Sequence, residues 1–573
     1  MRLRGAFGVQ SRKFSPSTII LVVLLVGAFG FSLAGWAALA ERLELSTGDI
    51  IIRTLVLPLL YSPWETAKNW MFDWRLEVAR VLGMAVFVIA ATKTIGLLVA
   101  KQADQWRGRQ RSGHLIVIGD HPLAKAAVAA ARARKVPTTW MDNGQPDDDG
   151  WSIRGSTLHV PGGWDLATAE RFALRRAARC AIAYTDDART LAVARDIRAG
   201  SNSPALILNL QDPWLMARIE EAHAWLDVRL GSVPRAAARS LHARHPPFLI
   251  AHRYNQARLH ALIIGFGGFG EAVLLDLLMT AHTRHLGKPR VTIVDPHTSG
   301  IAADLALRYP ELDECVDIEF VAAALAGENP AGAHGHLDAK TFARINDAAP
   351  ITVSYVCTGG DSGTLRVGFA LQTLLRDVHA EGPIFLRLRN NGALAQPSAG
   401  VAGLAARQLV PFGPIDDLLE AMGFLDDEVD ALAKAFHTAN QALATGESRS
   451  NLPWEELDES YREANRRLVA HIPAKLASAG YDVDAWLSST RDKRLPHIEG
   501  FAADAETRLA LATLEHDRWM TERRLSGWRY AAERDNTRRH HPNLVPFDAL
   551  PADVQAFDFA SVDQLAAILA KAR

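Results

Sequence analysis

The rhythm of apolar and polar positions changes three times along this chain of 573 residues. Residues 18–40, "TIILVVLLVGAFGFSLAGWAALA", carry no charge. As a helix they are long enough to cross a hydrocarbon core of about 30 Å. A second apolar run follows at about 81–100, interrupted by Lys93. From 113 to about 420 short apolar runs alternate with helix-like spacing, the pattern of a parallel sheet with crossover helices. Beyond about 420 the strand rhythm stops and a helical, Trp-rich pattern takes over.

The flanks of the two apolar runs set an expected topology. "ALA" at 38–40 resembles a signal-peptide cleavage site. The run is nevertheless much longer than the ~7–15 apolar residues such peptides use, which favours an uncleaved anchor. Arg2, Arg4, Arg12 and Lys13 precede the first run, and Lys101, Arg107, Arg109 and Arg111 follow the second. Positive flanks stay on the cytoplasmic side, so both termini are expected inside and residues 41–80 outside, in a multi-pass protein of a cell inner membrane. Lys93 within a span costs some ~2.5–3.5 kcal/mol and either faces a cavity or pore or snorkels to the headgroups. "TGDIIIRTLVLPLLYSPW" (47–64) fits a short re-entrant helix broken at Pro58. It fits equally an interfacial segment with Trp64, Trp70 and Trp74 at headgroup level.

Two stretches of the middle region follow one plan. In "GHLIVIGDHPLAKAAVAAARARKVPTTWMD" (113–142) a strand, turn, helix and strand end in an acid, but only Gly119 keeps its place in the turn. His121 and Ala124 stand where a dinucleotide-binding turn has its second and third glycines, so no dinucleotide is expected there in the usual pose. In "HALIIGFGGFGEAVLLDLL" (260–278) the turn is complete, with Gly265, Gly267 and Gly270 at GxGxxG spacing and Gly268 beside them. Asp295 ends the following strand, where a carboxylate can accept ribose hydroxyls. "ITVSYVCTGGDSGTLRVGFALQTLL" (351–375), with Thr358 and Gly359 in its turn, parallels "CAIAYTDDARTLAVARDI", and "PIFLRLRN" parallels "PALILNLQD". The repetition predicts tandem Rossmann-like sheets. NAD(H) or another adenine nucleotide is expected at the second, the other reading being a shell whose glycines serve only packing.

A formal net charge of −1 with 22% charged residues points away from nucleic acid and from disorder. Cys180, Cys315 and Cys357 are scattered without metal-ligand spacing, so neither a metal site nor a disulfide framework is expected. No Tyr-x-x-x-Lys pair stands ready to move a proton beside a nicotinamide, so an enzyme is not expected.

Two apolar helices followed by tandem units of this kind resemble the regulator-of-K⁺-conductance (RCK) architecture of potassium channels and Trk-type transport proteins. "YTDDARTLAVARDIR" and "CTGGDSGTLRVGFALQ" are similar to that family's strand-four turn, and the resemblance covers roughly 110–410. It implies rings of such domains that alter a membrane pore when nucleotides or ions bind. The chain departs from the family in one respect: residues 41–80 contain no TxGYG-like filter, so potassium selectivity is unsupported.

"LATLEHDRWMTERRLSGWRYAAERDNTRRHHPNLVPFDALP" (511–551) resembles the ryanodine-receptor repeat (RyR) domain of bacterial proteins, through EHDRW, GWRY and HPNLVPFDALP. "LPWEELDESYREANRRLVAHIPAKLASAGY" (452–481) looks like that domain's usual neighbour. Arg518, Trp519, Arg523 and Tyr530 are candidates to stack a base and pair a phosphate, with both arginines expected to be dispensable for folding. The alternative is that Trp519 and Trp528 anchor a small helical core.

The expected fold class is a two-helix membrane module joined to α/β and helical domains. Its parts are a transmembrane module at 1–112, a degenerate Rossmann/RCK-like domain at 113–250, a nucleotide-binding one at 251–420 and a RyR-like domain at 421–573. The expected function is ligand-gated, channel-like ion conduction by a homo-oligomer, for which four chains is the natural number, in contact with lipid and a nucleotide-type ligand. A membrane effector or scaffold answering a nucleotide second messenger is the alternative, and a membrane-anchored NAD(P)-dependent oxidoreductase a more distant one.

Overall fold

The computed structural model describes residues 16–56, 73–144, 152–200, 204–221, 228–324, 336–389, 409–422, 430–441, 451–457, 459–484, 486–487 and 497–571. The chain divides into two compact units, Met1–Gln110 and Arg111–Arg573.

The first unit holds α1 (Pro16–Leu43), α2 (Thr47–Val56) and α3 (Trp74–Arg109). Within it two helical stretches, Ile20–Leu43 and Trp74–Gly96, are long and apolar enough to cross a membrane. Small residues let α1 and α3 approach: Ala28 and Ala79 are fully buried, and a Cβ on Gly35 would lie 2.5 Å from Leu76. The outward faces stay apolar, with Val23, Val26, Phe87 and Val88 exposed. Lys93 sits at an exposed position near the end of the second stretch. Residues 47–56 of the proposed re-entrant or interfacial segment are the amphipathic α2, with Ile51, Ile52 and Leu55 exposed. Pro58, Trp64 and Trp70 lie outside the described residues, as do Arg2, Arg4, Arg12 and Lys13.

The second unit is built on two sheets. The first comprises β1 (Leu115–Ile118), β2 (Thr138–Asp142), β3 (Ser152–Arg154), β4 (Thr157–Pro161), β5 (Arg179–Ile182), β6 (Ala205–Asn209) and β7 (Val228–Gly231). Its spatial order is β3-β4-β2-β1-β5-β6-β7, parallel except for the edge strand β3. The second comprises β8 (Arg258–Ile264), β9 (Gly287–Val294), β10 (Asp317–Val321), β11 (Val353–Val356), β12 (Ile384–Arg387) and β13 (Leu409–Phe412), wholly parallel in the order β10-β9-β8-β11-β12-β13. Apart from β3, each sheet runs 3-2-1-4-5-6 in its own numbering, the doubly wound order. The duplication legible in the sequence is therefore a duplication of topology.

Connecting helices set the sheets against each other. The first lobe contributes α4 (Pro122–Ala133), α5 (Asp187–Gly200), α6 (Pro213–Glu221) and α7 (Val233–Arg244); the second contributes α8 (Gly268–Thr280), α9 (Thr298–Arg308), α10 (Asp361–Asp377) and α11 (Ile415–Ala421). One continuous core takes Val117 and Ile207 from the first sheet, Ala237 and Leu241 from α7, Leu274 and Leu277 from α8, and Ile263 and Phe385 from the second sheet. Inside it His242 of α7 bonds Asp276 of α8 (2.7 Å) and the Tyr355 hydroxyl of β11 (3.0 Å), so a buried polar group is satisfied on both ring nitrogens.

The C-terminal part has its own core, joining Phe436 of α12 (Ala431–Gln441), Ile472 of α13 (Glu459–Ser478), Leu511 of α14 (Ala505–Leu525) and Leu565 of α15 (Ala552–Lys571). Between α14 and α15 two very short strands pair, β14 (Arg529–Tyr530) with β15 (His540–His541).

Burial leaves a pH signature. His121, His260 and His282 are each pushed down to about 4, first by loss of solvent. Each is neutral when folded, whereas in the unfolded chain it takes up a proton near 6.5. Between those values the unfolded state binds more protons, so stability is lost as pH falls from about 6.5 to about 4. Scanning fluorimetry of the detergent-solubilised chain is expected to show Tm falling across that window; a flat profile would contradict it.

Candidate functional site

The glycine turn between β8 and α8 is the best-formed candidate. Gly265 has φ +82°, and a Cβ there would meet the Cys357 carbonyl carbon and oxygen at 3.1 Å. Gly270 would put a Cβ 2.7 Å from the Gly265 carbonyl oxygen, so the first turn of α8 packs directly on the loop that feeds it. Packing within the protein thus accounts for the first and third glycines. Gly267, the N-cap of α8, is different: its conformation is extended, and a Cβ there meets nothing within 4 Å. In dinucleotide-binding turns generally, the open side is where backbone N–H groups at a helix N-terminus receive a pyrophosphate. Gly268 touches the first lobe, its added Cβ falling 3.5 Å from the Gln211 carbonyl oxygen.

Asp295 reaches the same loop. Its carboxylate accepts from the Phe266 N–H and the His297 N–H, each at 2.9 Å, which holds the loop in shape. Each carboxylate oxygen keeps a further lone pair for a ribose hydroxyl. Thr358 is turned inward, its hydroxyl bonded to that of Thr364 at 2.9 Å. Gly359 stays open on its Cα side, and its carbonyl accepts from Arg389 at 3.0 Å. Glu271, in the first turn of α8, would repel an anion if bare, but Arg308 and the Tyr309 hydroxyl both bond it. That brace had no motif to announce it.

The first lobe uses the equivalent turn differently. Gly119 has φ +125° and packs on the Ala183 carbonyl, leaving no room for a Cβ. His121 caps α4 with Nδ1, accepting from the Leu123 N–H at 3.1 Å. The N-terminus of α4 is therefore partly satisfied by its own chain.

A second candidate lies at the end of α14. The Arg523 guanidinium sits 5.8 Å from the Trp519 ring centre and 5.7 Å from that of Trp528. The His541 ring meets Trp519 at 5.1 Å and Trp528 at 5.9 Å, both edge-on, and His516 stacks on Trp519 at 5.5 Å. Tyr530, 60% exposed, is the β14 partner of His541. Both tryptophans are half-buried, so they serve the local core and still present ring surface.

Residues 502–572 match the RyR domain family. No curated protein sequence matches the chain. Among solved structures, GsuK bound to ADP is 15% identical, with 71% of this chain and 96% of that one covered and a TM-score of 0.36. The GsuK channel bound to NAD is 13% identical over 73% and 84% of the two chains, with a TM-score of 0.36. The GsuK RCK domain is 13% identical over 57% and 78%, with a TM-score of 0.35.

In this RyR domain Arg518 does not join the aromatic cluster, a correction to the site expected from sequence. It is buried, donating to Glu515 at 2.7 Å and to Glu522 at 2.8 Å. Successive helix positions diverge by about 100°, so the neighbour of an outward Trp519 points inward. The cluster instead recruits Trp528 and His541, both from beyond the end of α14. The RyR domain also docks on the second lobe, where Arg529 pairs with Glu311 at 3.2 Å and α14 packs against α8.

Two contrasts test these assignments by thermal denaturation. Gly270→Ala is expected to lose about 1–3 kcal/mol from the clash with a backbone oxygen, while Gly267→Ala stays near wild type. Equal losses would mean that Gly267 is also a packing residue. Arg518→Ala removes one of the two cations on each of Glu515 and Glu522, leaving Lys475 and Arg467, and is expected to cost about 2–4 kcal/mol. Arg523→Ala is expected to change stability by less than about 0.5 kcal/mol.

Proposed function

We propose that this chain is a membrane protein whose soluble unit binds an adenine nucleotide at the Gly265–Gly270 turn and uses that binding to control ion conduction. The observation that carries the reading is the contrast among the three glycines: packing consumes Gly265 and Gly270, while Gly267 opens on free space at a helix N-terminus. NAD(H) or a related adenine nucleotide is the ligand, with Asp295 accepting ribose hydroxyls. The RyR domain contributes a second site from Trp519, Arg523 and Tyr530, together with Trp528 and His541.

Membrane insertion is supported by the outward apolar faces of α1 and α3, which water would not tolerate as a continuous surface. Two helices cannot enclose a conduit alone, so the conducting form is a symmetric homo-oligomer, with four chains the natural number. In this reading the protein lies in an inner membrane with both termini in the cytoplasm and does no catalysis. Lys93 lines the conduit, where a ring of lysines would disfavour cations, or it meets the cytoplasmic headgroups.

Calorimetric titration with NAD⁺ and ADP, the ligands named for the GsuK structures, tests the nucleotide site. Gly267→Val places a branched side chain where phosphate must approach backbone and is expected to weaken binding at least tenfold without lowering Tm. Unchanged titrations would show that the turn only packs. Ion flux from liposomes carrying the whole protein separates conduction from a scaffold role: ligand binding without flux would favour the effector reading. Hydride transfer from NADH to a substrate would instead establish the oxidoreductase.

A further inference from the structure

Away from both candidate sites, a cavity of about 460 Å³ opens between the first lobe and the C-terminal helices. That volume lies within the roughly 300–1,000 Å³ usual for small-molecule pockets. Helix α7 begins at its edge. Ser232 is the N-cap of α7, yet its hydroxyl makes no capping bond; it is 2% exposed, lines the cavity and has no hydrogen-bond partner. A serine at this position normally caps the helix, so an idle buried hydroxyl there is costly and calls for an acceptor or donor from elsewhere.

Paired charges surround it, and one arginine among them keeps donors to spare. Arg229, Arg235, Arg239 and Arg466 line the cavity against Asp417, Asp430 and Glu463. Glu463 alone takes Arg235 and Arg239 at 2.5 Å and Arg466 and Arg467 at 3.3 Å. Arg235 also pairs with Glu220, Arg466 with Asp430 and Glu459, and Arg467 with Glu522, whereas among the described residues Arg239 pairs with Glu463 alone. Arg239 is the most accessible of the four, with its side chain 34% exposed. It spends one N–H on Glu463, leaving most of its five donors available. An aliphatic wall is formed by Ala236, Met422, Leu432 and Val469.

We infer that this cavity binds a small phosphate ester, its phosphate oxygens meeting Ser232, Arg239 and the start of α7 and its organic part lying on the aliphatic wall. Its occupant bridges α7 of the first lobe to α13, so binding would tighten the joint between that lobe and the C-terminal helices. This site is separate from the glycine turn and stands or falls independently of it.

Inorganic pyrophosphate is the probe, titrated calorimetrically into the full chain in detergent. Arg239→Gln is expected to raise Kd tenfold or more, and Ser232→Ala about threefold to tenfold, in line with charged and neutral hydrogen bonds respectively. Ser232→Ala removes a hydroxyl without a partner, so its Tm should hold or rise, which keeps the test valid even if Arg239→Gln folds poorly. The same titrations are repeated in a Gly267→Val background, which removes any pyrophosphate held by the glycine turn, and the effects of Arg239→Gln and Ser232→Ala are expected to persist there. The inference is overturned if wild type binds no pyrophosphate. It is equally overturned if binding disappears with Gly267→Val and is indifferent to Ser232→Ala and Arg239→Gln.

Discussion

An α-helix with no polar face has to be enclosed on every side, and α8 is such a helix. Ala272, Val273, Leu274, Leu277 and Leu278 are all at most 1% exposed, although they cover different faces. One side packs on α7 and the core shared by the two sheets; others meet α13 and α14 of the C-terminal region. Enclosure puts the glycine turn, where α8 begins, at the junction of three parts of the chain. A ligand seated there would press on a close-packed interior, which shifts between discrete arrangements more readily than it deforms.

Around that apolar centre the joints are ionic. Glu515 is held by Arg518 and by Lys475 at 2.6 Å, and burial, which pushes its carboxyl pKa up, is outweighed by these two cations. Asp430 is likewise buried, yet Arg466 and Arg229 keep its pKa below the ordinary carboxylate range. Buried pairs of this kind gain little net stability because desolvation offsets their attraction, but a wrong docking would strand several charges at once. They therefore specify how α13 and α14 seat against the lobes. The Glu463 cluster belongs to this set, with Glu220, Asp430, Glu459 and Glu522 sharing its arginines.

The two glycine turns show how one topology diverges. Both need their first glycine for the same reason, a backbone that passes too close to the next strand's end for any side chain. In the first lobe a histidine then caps the helix and uses its N-terminus internally. In the second the N-cap is a bare glycine with open space beside it, while Arg308 neutralises the nearby Glu271. The difference lies in one side chain at the second glycine position.

Much of this was legible in sequence because its causes are local. Long apolar runs, the second broken only by Lys93, marked both long helices, alternating strand and helix periods marked both sheets, and the GxGxxG spacing with Asp295 marked the better turn. The RyR motif located the C-terminal fold, whose family match is 502–572. What sequence could not decide is which way a side chain turns and what it meets. Arg518 and Trp519 are neighbours on paper, yet the helix carries one into a carboxylate pair and the other to the surface. His541 and Trp528 join Trp519, and Glu463 gathers arginines from α7 and its own helix, only after distant segments have packed. Periodicity is a property of a few consecutive residues, whereas charge pairing, cavity shape and an idle hydroxyl depend on partners that folding brings from far along the chain.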